Sequence, residues 1–208
     1  MTVVLTDRDP SSRVGDLEGR VVAGLLACLA RQGVRKTTLD DVAREAGCSR
    51  ATLYRYFPSK QAVLDAAIRT ERERVVAALL AAADDAPTLE DAVVALLHAM
   101  GTEVGQHPAL RFVADFEPER LLPHLCFSGG DRLLAHAAAA LAPALVPHVG
   151  AAAPRAAEWV ARVALCFLCA PDPPVDLRDE PALRTYARQF LVPALQPDPN
   201  RTPPTSRR

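Results

Sequence analysis

The break Gly47-Cys48-Ser49, set between two short helical patterns, is the feature that most limits what this chain can fold into. Thr38 opens the first pattern as a good N-cap. Asp41, at the third helical position, can reach back as a shorter version of a capping-box acid. Val42, Ala43 and Ala46 give that helix its apolar face, and Gly47 stops it. Ser49 caps a second helix that runs through Phe57, where Pro58 interrupts. Gly47 supplies the positive φ that a sharp interhelical turn needs. Ala43 is small where two helices must approach, and Val42, Ala46, Leu53 and Phe57 can form the core beneath them. A helix-turn-helix is the expected result.

The residues left outside that core suit a nucleic acid. The start of the second helix offers Ser49, Arg50, Ala51 and Thr52 at the end that would enter a major groove. Arg50 can pair bidentately with a guanine edge, and Ala51 and the Thr52 methyl can touch thymine methyls. Tyr54, Tyr56 and Lys60 carry donors at the flank, where phosphates run. The helix starts at Thr38 and Ser59 add backbone N–H groups for phosphate. A plain helical hairpin, with Tyr54 and Tyr56 as packing residues, is the competing reading.

The same stretch carries a family pattern: Thr38, Val42-Ala43, Ala46-Gly47, Leu53-Tyr54-Arg55-Tyr56-Phe57 and Ser59-Lys60. It resembles the TetR family of bacterial regulators without a gap from about Leu17 to Leu64. Cys48 stands in the turn where a valine is common. The resemblance implies phosphate contacts at Thr38, Thr52, Tyr54, Tyr56 and Lys60, and base contacts at Arg50 and Ala51. It also implies an all-helical C-terminal region whose last two helices pair with a second subunit, and a pocket among the middle helices for a small effector.

Charge is distributed accordingly. Between Arg13 and Arg74 stand 12 basic and 8 acidic residues, a balance of +4; between Val75 and Asn200 the count is 8 basic and 15 acidic, a balance of −7. A basic first third on an acidic body fits an anionic partner that touches only that third. Half of the 208 residues are hydrophobic and few are aromatic, which favours helices packed on helices. The polar start Met1–Pro10 is no signal peptide, and residues 1–12 read as loose. Polar or proline residues break the longest apolar runs, Leu133–Val146 and Trp159–Ala170, and no membrane partner is expected. Five cysteines without a secretory signal argue against a disulfide framework and for the cytoplasm.

The fold class expected is therefore all-α. A three-helix DNA-binding domain at 13–60 contains the helix-turn-helix. A larger effector-binding and dimerisation domain follows at 61–195, and a Pro-rich tail at 196–208 reads as disordered. A long helix from about Lys60 to Ala83 should follow the DNA reader. Helices are then expected near 88–104, 108–116, 130–146, 154–170 and 179–195, with breaks at 106–108, 118, 128–130, 147–154 and 171–174. The last two helices are more apolar than one buried face requires, which fits a homodimer.

Polar groups inside apolar runs give the effector candidates: His98, Glu103, His107, Phe112, Phe116, Cys126, Trp159, Arg162 and Cys166. Pocket walls of Leu, Val, Ala and Phe would favour an apolar or amphipathic effector. No Gly-rich phosphate loop, nucleophile elbow or His-Glu metal pair occurs in the sequence, so no enzyme activity, cofactor or metal is expected. The expected function is a repressor that binds a palindromic double-stranded DNA operator as a dimer and is released by a small molecule. A redox- or metal-responsive switch through Cys126, Cys166 and Cys169 is the alternative, and a helical-bundle enzyme the more distant one.

Overall fold

The computed structural model describes residues 10–120, 127–170 and 172–196, and among them every regular element is helical. The helices are α1 (Pro10–Lys36), α2 (Leu39–Glu45), α3 (Arg50–Tyr56), α4 (Lys60–Ala83), α5 (Leu89–Glu103), α6 (Pro108–Phe116), α7 (Phe127–Val149), α8 (Ala153–Cys169), α9 (Glu180–Tyr186) and α10 (Val192–Leu195). The chain divides into two compact units, one of Met1–Arg74 with His107–Leu121 and one of Val75–Gln106 with Leu122–Arg208. The boundary expected at residue 60 thus differs from the division of contacts. The first half of α4, and all of α6, group with the helix-turn-helix.

In the first unit, Val21, Leu25, Val42, Leu53 and Val63 are fully buried in one core, joined by Phe57, Ala109 and Val113. This is why α6 belongs here: its inward residues Ala109 and Val113 complete the core that α1 and α4 leave open. α1 begins at Pro10, earlier than the loose start expected; residues 1–9 lie outside the described residues. Its regular helix ends at Gly33, where φ is +75° and ψ 179°. A short turn through Lys36 then leads to α2.

The second unit buries Leu79, Val93, Leu96, Leu97, Leu141, Leu145, Val160, Leu183 and Leu191 together. α7 differs from its expected bounds. It takes Ser128, Gly129 and Gly130 into its first turn and continues past Pro143 and Pro147. Those prolines each remove a backbone donor, but Leu141, Leu145 and Val149 remain buried in the core on either side of them. The stretch Asp131–Cys169 is long and apolar enough to cross a membrane by length and composition. It is divided by a 3₁₀ turn at Gly150–Ala152, and the two parts, α7 and α8, share the core. The helix expected at 179–195 contains a π turn at Ala187–Leu191. Pro193 explains it: without an N–H, and with its ring against the carbonyl four residues back, it forces the preceding turn to widen. Between α8 and α9, where only a break was expected, Val175 and Leu177 are buried. The tail residues 197–208 lie outside the described residues.

Candidate DNA interface

The helix-turn-helix is set by local signals acting over a few residues each. The Asp41 N–H donates to Thr38 Oγ1 at 3.2 Å, and the Thr38 N–H donates back to Asp41 Oδ2 at 3.0 Å, closing a reciprocal capping box. The Thr38 hydroxyl also donates to Asp41 Oδ2 at 2.7 Å. These bonds hold the Asp41 carboxyl below its usual pKa. Thr38→Ala removes the cap and is expected to cost about 1 kcal/mol, read as faster amide exchange in α2. Gly47 turns the chain with φ +63°. Ser49 then caps α3 by accepting the Thr52 N–H at 3.0 Å.

With Leu53 and Phe57 pointing inward, α3 presents its other residues outward. Ser49, Arg50, Ala51, Tyr54 and Tyr56 are exposed and Thr52 is half-buried. Tyr54 and Tyr56 are each 40% exposed, too open for packing residues alone. Arg50 Nη1 lies 3.0 Å from Asp40 Oδ2 on α2. Its guanidinium also stands over the Tyr54 ring, 5.5 Å from the centroid, and Arg55 lies over Tyr56 at 5.0 Å.

Lys60 is placed differently from a simple flank residue. Its ammonium donates to the Val34 carbonyl at the end of α1. Burial there lowers its pKa, the nearby Arg120 charge adds to that, and Glu117 opposes. Sequence reasoning missed Glu117 altogether. Glu117 follows α6 and is only 2% exposed. One oxygen accepts the Val34 N–H at 2.9 Å and the other the Arg35 N–H at 3.0 Å. Burial works to raise its pKa and is the largest single influence. The backbone bonds from Arg35 and Val34, with the Arg35 charge, outweigh it and leave the pKa below the ordinary value. Val34 is therefore gripped on both sides, by Glu117 at its N–H and Lys60 at its carbonyl. No motif in the sequence signals this, because the partners stand far apart along the chain. Asp40 was also missed, being one of two acids at a helix start.

The described effector candidates fall in both units. In the second unit a groove of about 460 Å³ is lined by His98, and by Asp85, Asp91, Glu180, Arg184 and a set of alanines. Its walls are more polar than the Leu, Val and Phe expected. Of the candidates only His98 lines it, and its Nδ1 lies 3.1 Å from the Leu177 carbonyl oxygen. Glu103 is half-buried elsewhere on α5. His107, Phe112 and Phe116 belong to the first unit. His107 caps α6 and its Nε2 lies 3.4 Å from Glu71, while Phe112 packs on the exposed Phe116 at 4.8 Å. Trp159, Arg162 and Cys166 are exposed on α8, with Arg162 paired to Glu158 at 2.6 Å. Cys126 lies outside the described residues. No group of three or more His, Cys, Asp or Glu side chains gathers among the described residues in a way that could hold a metal ion.

Comparison with known proteins agrees with this geometry. Residues 21–67 match the family described as bacterial regulatory proteins, tetR family. The uncharacterized HTH-type transcriptional regulator Rv1255c of Mycobacterium tuberculosis is 30% identical over 159 residues, which cover 76% of this chain and 75% of that one. A second regulator of that organism, Rv2250c, is 30% identical over 81 residues, 39% of this chain and 43% of its own. Among solved structures, the TetR family repressor AlkX from a Dietzia strain, implicated in biodegradation of n-alkanes, shares the fold. Its TM-score is 0.62 at 22% identity, covering 86% of this chain and 97% of that one. These relatives are named as regulators.

Proposed function

The chain belongs to the tetR family of bacterial regulatory proteins, and from that premise we propose a repressor that binds a palindromic operator as a homodimer and releases it when a small effector binds. It is a DNA-binding transcriptional regulator. The observation that carries the finer reading is the outward face of α3, where Arg50, Ala51 and Thr52 stand together in the first turn, flanked by open tyrosines. Arg50 and Ala51 read base edges. Thr38, Ser49, Thr52, Tyr54, Tyr56 and Lys60 position the protein on phosphates.

For the dimer, support comes from large apolar side chains left exposed on the helices of the second unit: Leu133 and Val146 on α7, Trp159 on α8, and Phe190 in the π turn. Arg155, Glu158 and Arg162 interrupt the exposed surface of α8 with charge, which suits a protein partner better than lipid. An amphipathic effector suits a groove that mixes alanine walls with charged groups, and the cytoplasm is where such a regulator meets DNA. The effector must favour the DNA-incompetent state, since equal affinity for both states shifts nothing. In the thiol-switched version, the exposed Cys166 and Cys169 on α8 take the effector's place. Alkylation that releases DNA without any small molecule would select it.

The test is DNA retardation on the region upstream of the protein's own or a neighbouring gene, at several salt concentrations. Arg50→Ala is expected to cost about 1–3 kcal/mol on the specific duplex and to relax preference at one base pair per half-site. Lys60→Ala is expected to lower the salt slope by about one counterion per site. An unchanged slope would assign Lys60 wholly to the Val34 carbonyl. Retardation with no sequence preference at any salt concentration would sink the operator reading.

A further inference from the structure

Arg50 is held from two sides. Asp40 meets its Nη1 at 3.0 Å from the first turn of α2, and the Tyr54 ring, one turn further along α3, lies under its guanidinium with the centroid 5.5 Å away. The ion pair is not explained by stability. Arg50 and Asp40 are 66% and 48% exposed, and an ion pair that open contributes little to folding. Capping does not explain Asp40, because Asp41 closes the capping box by itself, and the helix dipole favours an acid there without calling for the pair with Arg50. A carboxylate on a surface that meets phosphates repels them, so Asp40 lowers affinity for DNA of any sequence.

We propose that Asp40 and Tyr54 clamp the Arg50 guanidinium in the orientation that reads a guanine edge, which makes Asp40 a specificity-determining positioning residue. The inference rests on the reading of Arg50 as the base contact. An unclamped arginine on an open helix face samples many rotamers and reaches phosphates on either side as readily as a base. With Nη1 in an ion pair with Asp40 and the guanidinium over the Tyr54 ring, that freedom is reduced. The remaining N–H groups form a planar edge matching the O6 and N7 acceptors of guanine. When DNA docks and water leaves, the carboxylate–guanidinium attraction strengthens, because the local dielectric falls. Asp40 thus trades general affinity for discrimination.

The test selects duplexes from a randomised pool with the full-length protein and reads base preference position by position. Arg50→Ala identifies the base pair it reads, with preference there falling about tenfold or more. Asp40→Asn keeps the size of the side chain and removes its charge. It is expected to lower preference at that same base pair about three- to tenfold, while affinity for an unrelated duplex rises. In the Arg50→Ala background the same change should have no further effect on preference, since the two act as one unit. Tyr54→Leu should relax the same base pair, and Tyr54→Phe, which keeps the ring, should not. If Asp40→Asn strengthens binding to every sequence alike and leaves preference intact, the clamp is wrong and the reading of Arg50 stands. If it alters preference at a different base pair, Asp40 reads DNA directly and the clamp is again wrong. If Arg50→Ala leaves every position unchanged, the reading of α3 and the clamp fall together.

Discussion

Replacing Glu117 by alanine is expected to destabilise the first unit by about 3 kcal/mol. Its carboxylate is buried and accepts two backbone N–H groups, those of Val34 and Arg35, one on each oxygen. Removing it strands both donors at the end of α1, and a buried unsatisfied group costs about 1–3 kcal/mol. The loss falls on the turn that leads into Thr38 and α2, so operator affinity should drop even though Glu117 lies on no DNA-facing helix. Amide exchange at Val34 and Arg35, compared with that in α5 as an internal reference, reads the effect. Equal protection in the variant and the original protein would show that the carboxylate holds nothing.

Glu117→Gln refines the same result. One amide oxygen can still accept, but the amide nitrogen would face an N–H, donor against donor, so about half the loss is expected. The charge also vanishes, and with it a pH dependence. Because the folded pKa of Glu117 lies below the ordinary value of 4.5, its contribution is fully present above that value. It is lost as pH falls through the lowered folded pKa. Protection at Val34 and Arg35 should therefore weaken in acid in the original protein. In Glu117→Gln it should be weaker throughout and flat across the same range. Asp176, held to about 2 by Arg178, also titrates in acid, so the local probe is needed rather than a global melting curve.

What the sequence made legible is what local forces decide. The capping pair Thr38–Asp41, the turn at Gly47, the cap at Ser49 and the stop at Pro58 each act within a few residues, and α2 and α3 fall where those signals put them. The outward set on α3 followed from helical period once Leu53 and Phe57 were assigned inward. The grip on Val34 was not legible. It joins residues 83 positions apart, Val34 and Glu117, and nothing local distinguishes Glu117 from other surface acids. The place of α6 in the first unit was hidden for the same reason. Asp40 was visible but ambiguous, since an acid at a helix start already has a reason to be there. The effector set was less legible on different grounds. A polar residue within an apolar run marks a face of a helix only when the register against its neighbours is known. Without it, His107 as a helix cap and Arg162 as a surface ion pair look the same as a pocket ligand.

Gly33→Ala is expected to cost about 3–5 kcal/mol. Two causes add. Gly33 holds φ +75° with ψ 179°, a region essentially reserved for glycine, and an alanine there is strained by about 1–3 kcal/mol. The added Cβ would also lie 2.7 Å from Phe112 Cε1 and 2.8 Å from Glu117 Oε1. Phe112 packs on Phe116, and Glu117 cannot retreat without releasing Val34 and Arg35. The strain therefore passes into the hydrogen bonds that fix the start of α2. The Thr37 hydroxyl, which donates to the Gly33 carbonyl at 2.7 Å, is disturbed as well. Gly47→Ala separates the two causes. Gly47 also has positive φ, at +63°, but a Cβ there meets nothing within 4 Å. It should cost only the backbone term, about 1–2 kcal/mol. Urea unfolding of the two variants, followed by amide exchange across α1 to α3, measures the difference. If Gly33→Ala proved no worse than Gly47→Ala, the crowding by Phe112 and Glu117 would be without consequence, and the tight seating of α6 against the end of α1 would have to be abandoned.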